Sequence, residues 1–206
     1  MRHVVFLSYP RDIPIVRKFT DELHDVLSSQ LMLFDKRFSI VYDDRMESKR
    51  TGTDWREWVT PLLADSAVMV AVCSPAYFKS RGCLEEFHGM KQLVERRRKL
   101  TGESPPYYMF ALQLVDQPHP LLGGVRVSQA FVDYTLQPGR LDRKAKYLKE
   151  IAQIRDQILQ SWNHLSGDAL KAQLEADAAA NPFKLPEVDL PAAPPVPAYP
   201  LDGMRG

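Results

Sequence analysis

Ala67-Val68-Met69-Val70-Ala71-Val72, followed by Cys73-Ser74-Pro75, is the stretch that decides the fold class. A strand with one solvated face alternates apolar and polar residues. Six apolar positions in succession fit instead a strand covered on both faces, at the centre of a parallel sheet. The Ser-Pro step then ends it, because proline has no N–H to give to a ladder.

Working outward, shorter apolar runs at residues 4–7, 38–42 and 107–114 read as further strands, and residues 130–134 as a short fifth strand at a sheet edge. Between them lie stretches with helical periodicity. Residues 13–31 carry Val16, Phe19, Leu23, Val26 and Leu27 on one face, and Asp54 is placed to cap a helix bearing Trp55, Trp58, Val59, Leu62 and Leu63. Residues 83–99 and 142–162 form two more, the latter with Tyr147, Leu148, Ile151, Ile154, Ile158 and Leu159 as its stripe. This alternation predicts an α/β fold, a doubly wound, flavodoxin-like sheet of about five mostly parallel strands flanked by helices. The basic run Arg96-Arg97-Arg98-Lys99 falls where cations complement a helix C-terminus and reads as a solvated cap.

Residues 1–162 are thus expected to form one domain. Beyond it, residues 169–180 read as a loose helix of marginal stability. From Pro182 onward prolines crowd in, which predicts an extended, polyproline-type tail or linker with little to bury.

Composition excludes several classes. The chain has 206 residues, 45% hydrophobic, with 27 Lys+Arg against 26 Asp+Glu, so no global field draws it to nucleic acid or an anionic membrane. Two cysteines, Cys73 and Cys83, do not make a disulfide framework, and a reducing cytoplasm is the expected setting. The apolar run at residues 4–7 is too short for a signal peptide core or a membrane span. Five scattered histidines have no metal-ligand spacing, so no metal is expected. No Gly-x-Gly-x-x-Gly follows the first strand, no P-loop occurs and no Gly-x-Ser-x-Gly elbow is present.

Several separated motifs fall in one order: Phe6-Leu7-Ser8-Tyr9 with Arg11-Asp12, then Val41-Tyr42-Asp43-Asp44, a loop to Gly52, and Trp55 opening a helix. Cys73-Ser74-Pro75-Ala76-Tyr77-Phe78 and Ser80-Arg81-Gly82-Cys83-Leu84-Glu85-Glu86-Phe87 complete the series. The set closely resembles TIR (Toll/interleukin-1 receptor-like) domains, in particular prokaryotic effector TIR domains. The resemblance is dense over residues 2–93 and weaker to Trp162.

That resemblance implies one of two functions, cleavage of NAD to nicotinamide and ADP-ribose or a cyclic variant, or non-enzymatic scaffolding of other TIR domains. In enzymatic members a glutamate stands three residues after a cysteine, which here is Glu86 after Cys83, with Glu85 as the alternative register. One carboxylate suits the chemistry. Cleaving the nicotinamide–ribose bond builds positive charge on the sugar, and nicotinamide departs as a neutral base that needs no general acid.

By the same resemblance Ser8, Tyr9 and Arg11 border the substrate cleft, at strand C-termini where open α/β sheets bind ligands. Asp44 and Arg45 open a loop that touches both substrate and a neighbouring subunit. Lys49 and Arg50 read as solvated, and Trp55 and Trp58 as packing residues.

Enzymatic relatives often place tryptophan directly before the cysteine, where this chain has Gly82, so Tyr77 or Phe78 is the expected substitute against the nicotinamide end. NAD is then substrate and not cofactor, and self-association through TIR–TIR contacts is expected. A sensing partner and a role in prokaryotic immune defence are implied as well. A deoxyribosyltransferase-like relative, needing a second acid such as Asp12 or Asp44, is a further alternative.

Overall fold

The computed structural model describes residues 3–42, 55–101, 108–117, 119–136 and 138–190. Within these, the chain runs β1 (His3–Ser8), α1 (Pro14–Met32), β2 (Ile40–Tyr42), α2 (Trp55–Ala64), β3 (Ser66–Cys73) and α3 (Arg81–Thr101). It continues through β4 (Met109–Gln113), β5 (Arg126–Ser128), α4 (Ala145–Leu165) and α5 (Asp168–Ala180). The strands form one sheet in the order β2-β1-β3-β4-β5, every neighbouring pair parallel. This is the doubly wound, flavodoxin-like α/β arrangement that the alternation of apolar runs and amphipathic stretches predicts.

β3 lies at the sheet's centre and all eight of its residues are buried. Val68, Met69 and Val70 face Val5, Phe6 and Leu7 of β1 in register, while Met69–Cys73 run beside Met109–Gln113 of β4. Phe6 is plain core, with no exposed surface. α1 starts on Pro14, whose fixed φ and absent N–H suit a first helical turn.

The fifth strand differs from expectation. It is Arg126–Ser128, pairing with Phe110–Leu112, whereas residues 130–134 are turn. Phe131 and Tyr134 are fully buried there. Both rings meet Phe19 edge-on, with centroids 5.2 and 4.9 Å away. The apolar run that resembles a strand is a wedge of aromatics between Phe19 of α1 and Tyr147 of α4.

Arg97 is a second correction. It is not part of a solvated cap but is 4% exposed, and its guanidinium donates to the carbonyls of Ser66 (2.7 Å), Ala67 (2.9 Å) and Ala64 (3.3 Å). Ala64 ends α2 while Ser66 and Ala67 open β3, so one planar fork closes the α2–β3 connection. Burial pulls the Arg97 pKa down to about 10, which still leaves it charged at neutral pH.

α4 runs three residues past Trp162, and α5 and the chain after it lie along the body of the domain. Arg96 of α3 is bonded to Asp177 of α5. Phe183 and Leu185, from the stretch expected to bury little, pack on the core beside Leu63 of α2 and Gly89 of α3. A Cβ added at Gly89 would stand 2.9 Å from Leu185 Cδ1 and 3.1 Å from Phe183 Cζ, so the strap seats itself where α3 carries no side chain. Prolines from Pro191 onward lie outside the described residues. Among the described residues no helix is long and apolar enough to cross a membrane.

Candidate active site

The strand order reverses between β1 and β3, and the crevice at the C-terminal ends of such a pair is where open α/β sheets take ligands. An open cleft of about 320 Å³ lies there, lined by Tyr9, Arg11 and Asp12 after β1, Trp55 of α2, and Ser80, Gly82, Cys83 and Glu86 at the start of α3. The sequence places these residues in three distant segments, and the sheet brings them together.

Glu86 is 5% exposed, yet it lines this cleft. Its Oε2 accepts a 2.6 Å hydrogen bond from Ser8 Oγ, which is itself 2.9 Å from the Tyr77 hydroxyl. The Tyr77 hydroxyl also reaches the Cys83 carbonyl at 3.3 Å. Burial pushes the Glu86 carboxyl up to about 7, and the Ser8 bond and the Arg11 charge hold it from rising further. It is therefore a carboxylate poised near neutrality, one oxygen fixed by the fold.

Glu85, the neighbouring register, is placed quite differently. Its side chain is fully buried, gripped by Arg56 (2.9 Å from Nε) and by Arg81 one helical turn back (2.8 Å). Burial alone would raise its pKa, but the hydrogen bonds from Arg56 and Arg81 outweigh it and hold the carboxyl below its usual range. Glu85 ties α2 to α3 and does not line the cleft. Adjacent helix positions point about 100° apart, so one carboxylate serves the ion pairs while the next faces the cleft.

Other expected residues fall into groups. Tyr9, Arg11 and Cys83 line the cleft, and Ser8 lies under it, touching Glu86. Burial, and then the Glu86 charge, push the Cys83 thiol far up, so it is a neutral wall and no nucleophile. Tyr77, expected against the nicotinamide end, is corrected: it has no exposed surface and sits beneath the cleft. Phe78 likewise turns away, stacked on His119 with ring centroids 3.7 Å apart. Asp44 and Arg45, with Lys49, Arg50 and Asp54, lie outside the described residues.

Two further residues have a place at the site that the sequence alone does not signal. Trp55, which reads as packing, is a cleft wall, and Arg56, which no motif marks, holds Glu85. The tryptophan's position at a helix start gave no sign of which face would meet the cleft.

Against known proteins, the sequence pattern of the TIR domain family matches residues 5–135, more than half of the chain, taking in most of β1, all of β2 to β5, and Glu86. No curated protein matches.

Proposed function

Because the chain belongs to the TIR domain family, we propose that it is an NAD+ hydrolase whose essential carboxylate is Glu86, active when copies self-associate. The observation that carries this reading is a single buried carboxylate in the wall of an open cleft, fixed at one oxygen by Ser8 and flanked by Arg11 and an indole.

NAD+ would enter with its pyridinium and adjoining ribose at Glu86 and its pyrophosphate towards Arg11. The bond between ribose C1′ and the pyridinium nitrogen breaks, and its electron pair leaves on nicotinamide, which departs neutral. Water adds to C1′ and releases a proton, giving ADP-ribose; closure by a group of the substrate itself gives a cyclic product instead. The ionised Glu86 faces the cation that develops on the sugar and binds its hydroxyls. Low local polarity strengthens that interaction, and the same burial raises the carboxyl's pKa. Activity should then rise with pH through about 7 as Glu86 ionises.

Self-association, a sensing partner and a part in prokaryotic immune defence belong to the same reading. The test is chromatographic detection of nicotinamide and ADP-ribose from NAD+, at high protein concentration with and without a crowding agent. Stoichiometric release by the wild type, lost in Glu86→Gln, supports hydrolysis. No release under any condition, from a chain that nevertheless self-associates, supports the scaffold alternative.

A further inference from the structure

The geometry points to Trp55 as the aromatic wall that receives the pyridinium ring, with Gly82 as the residue that makes room for it. This inference rests on the NAD+ reading and adds to it a substrate-selecting residue.

Gly82 and Glu86 are four apart on α3, so they share one helical face about one turn, ~5.4 Å, from each other. Both line the cleft. A Cβ added at Gly82 would lie 3.7 Å from Cη2 and 3.8 Å from Cζ2 of Trp55. The six-membered ring of the indole therefore rests against the glycine backbone, beside the Glu86 carboxylate. A large side chain at position 82 would have to displace it.

Trp55 is half-buried, and with Tyr9 it provides the aromatic rings among the cleft-lining residues. An indole face attracts a flat cation more strongly than a phenol or phenyl face. A pyridinium laid on Trp55 would direct its ribose carbon towards Glu86, the direction in which the bond must be broken. The attraction weakens once the ring leaves as neutral nicotinamide, so the wall favours substrate over product. It also favours the oxidised cofactor over its reduced form, whose ring is neutral and not aromatic. The tryptophan missing from α3 is in this way supplied by α2.

Trp55→Phe and Trp55→Leu are the test, since both keep apolar bulk and only the first keeps a π face. Leu should raise the KM for NAD+ about tenfold and Phe about threefold, a smaller loss because the phenyl keeps a weaker π face, and in both the change should fall mainly on KM and not on kcat. In the double variant Trp55→Leu/Gly82→Trp, the lost KM should largely return. A second readout does not need turnover: N1-methylnicotinamide, a pyridinium, should quench tryptophan fluorescence saturably in the wild type. That saturable component should vanish in Trp55→Phe, where Trp58 and Trp162 remain. Neutral nicotinamide should quench far less. Equal KM values for Phe and Leu, or quenching unchanged in Trp55→Phe, overturns the assignment. Absence of nicotinamide release with the quenching intact would count against the hydrolase reading and leave the pyridinium wall standing.

Discussion

On the proposed hydrolase reading, replacing Ser8 with alanine should move the rise of activity with pH from near neutrality into the alkaline range. Ser8 Oγ donates the 2.6 Å bond that favours the ionised form of Glu86. A hydrogen bond to a charged group contributes roughly 1.5–3 kcal/mol, and one pKa unit corresponds to about 1.4 kcal/mol. Removing it should therefore raise the Glu86 pKa by about 1–2 units above its present value of about 7. At pH 7 the ionised fraction falls from about one half to between about one tenth and one hundredth, so nicotinamide release should slow by about 5- to 50-fold. The deficit should close as pH approaches ~9. Alanine is smaller than serine, and the Tyr77 hydroxyl keeps the Cys83 carbonyl, so the fold has no reason to fail. The assay is the initial rate of nicotinamide release from pH 5.5 to 9.5 at saturating NAD+. A profile that drops uniformly at every pH, or superimposes on the wild type, refutes the reasoning.

Stability should carry the same signature without any substrate. Burial raises the Glu86 pKa in the fold from 4.5 to about 7, so the folded state binds the proton more tightly than the unfolded chain. The stability this gives is present below pH 4.5 and is lost as pH rises through about 7, by up to on the order of 3 kcal/mol. Glu86→Gln should therefore match the wild-type Tm near pH 4.5 and exceed it by pH 8, and equal pH slopes for the two proteins would count against a buried, neutral carboxyl. Arg97→Met should cost about 3 kcal/mol or more, because the carbonyls of Ala64, Ser66 and Ala67 lose their donor in the interior; denaturant unfolding would show it, and a loss below ~1 kcal/mol would contradict the role given to the fork. Gly89→Phe should lift the strap formed by residues 181–190, since even a Cβ there meets Leu185 and Phe183. Hydrogen exchange should quicken in that segment while β3 stays protected, and unchanged exchange would mean that the strap re-seats around the ring.

What was legible in the sequence follows from how local each signal is. β3 shows itself because burial on both faces forbids any polar position across Ala67–Val72, and no neighbour is needed to see it. Glu86 could be picked out by its distance from Cys83 and its place on a helix. Its poise could not, because Ser8 is 78 residues away. Residues 130–134 read as a strand because aromatics in a turn and aromatics in a strand look alike until Phe19 and Tyr147 are in place. Arg97 stands in a basic run whose other members do reach solvent, and only the α2–β3 corner distinguishes it. The strap was hidden for a related reason: two apolar residues among prolines carry little weight until a bare stretch of helix at Gly89 receives them. Trp55 reads as packing and Gly82 as a departure from the family pattern when each is taken alone, and only the fold brings them into contact.

The two adjacent glutamates, one helix position and about 100° apart, face different surroundings. Glu85 is neutralised by Arg56 and Arg81 and stays ionised, while Glu86, with a hydroxyl on one oxygen, keeps its charge in reserve near neutral pH. Arg56 also reaches Glu187 at 3.4 Å, so the strap touches the same ion-pair cluster that fixes the start of α3.

The measurement that bears most directly on the central claim is nicotinamide release by wild type, Glu86→Gln and Glu85→Gln, side by side at one protein concentration and saturating NAD+. The account predicts release by the wild type, none above background from Glu86→Gln at any pH, and continued release by Glu85→Gln with a lowered Tm. Release from Glu86→Gln at the wild-type rate, or its loss in a Glu85→Gln protein that melts normally, would contradict it.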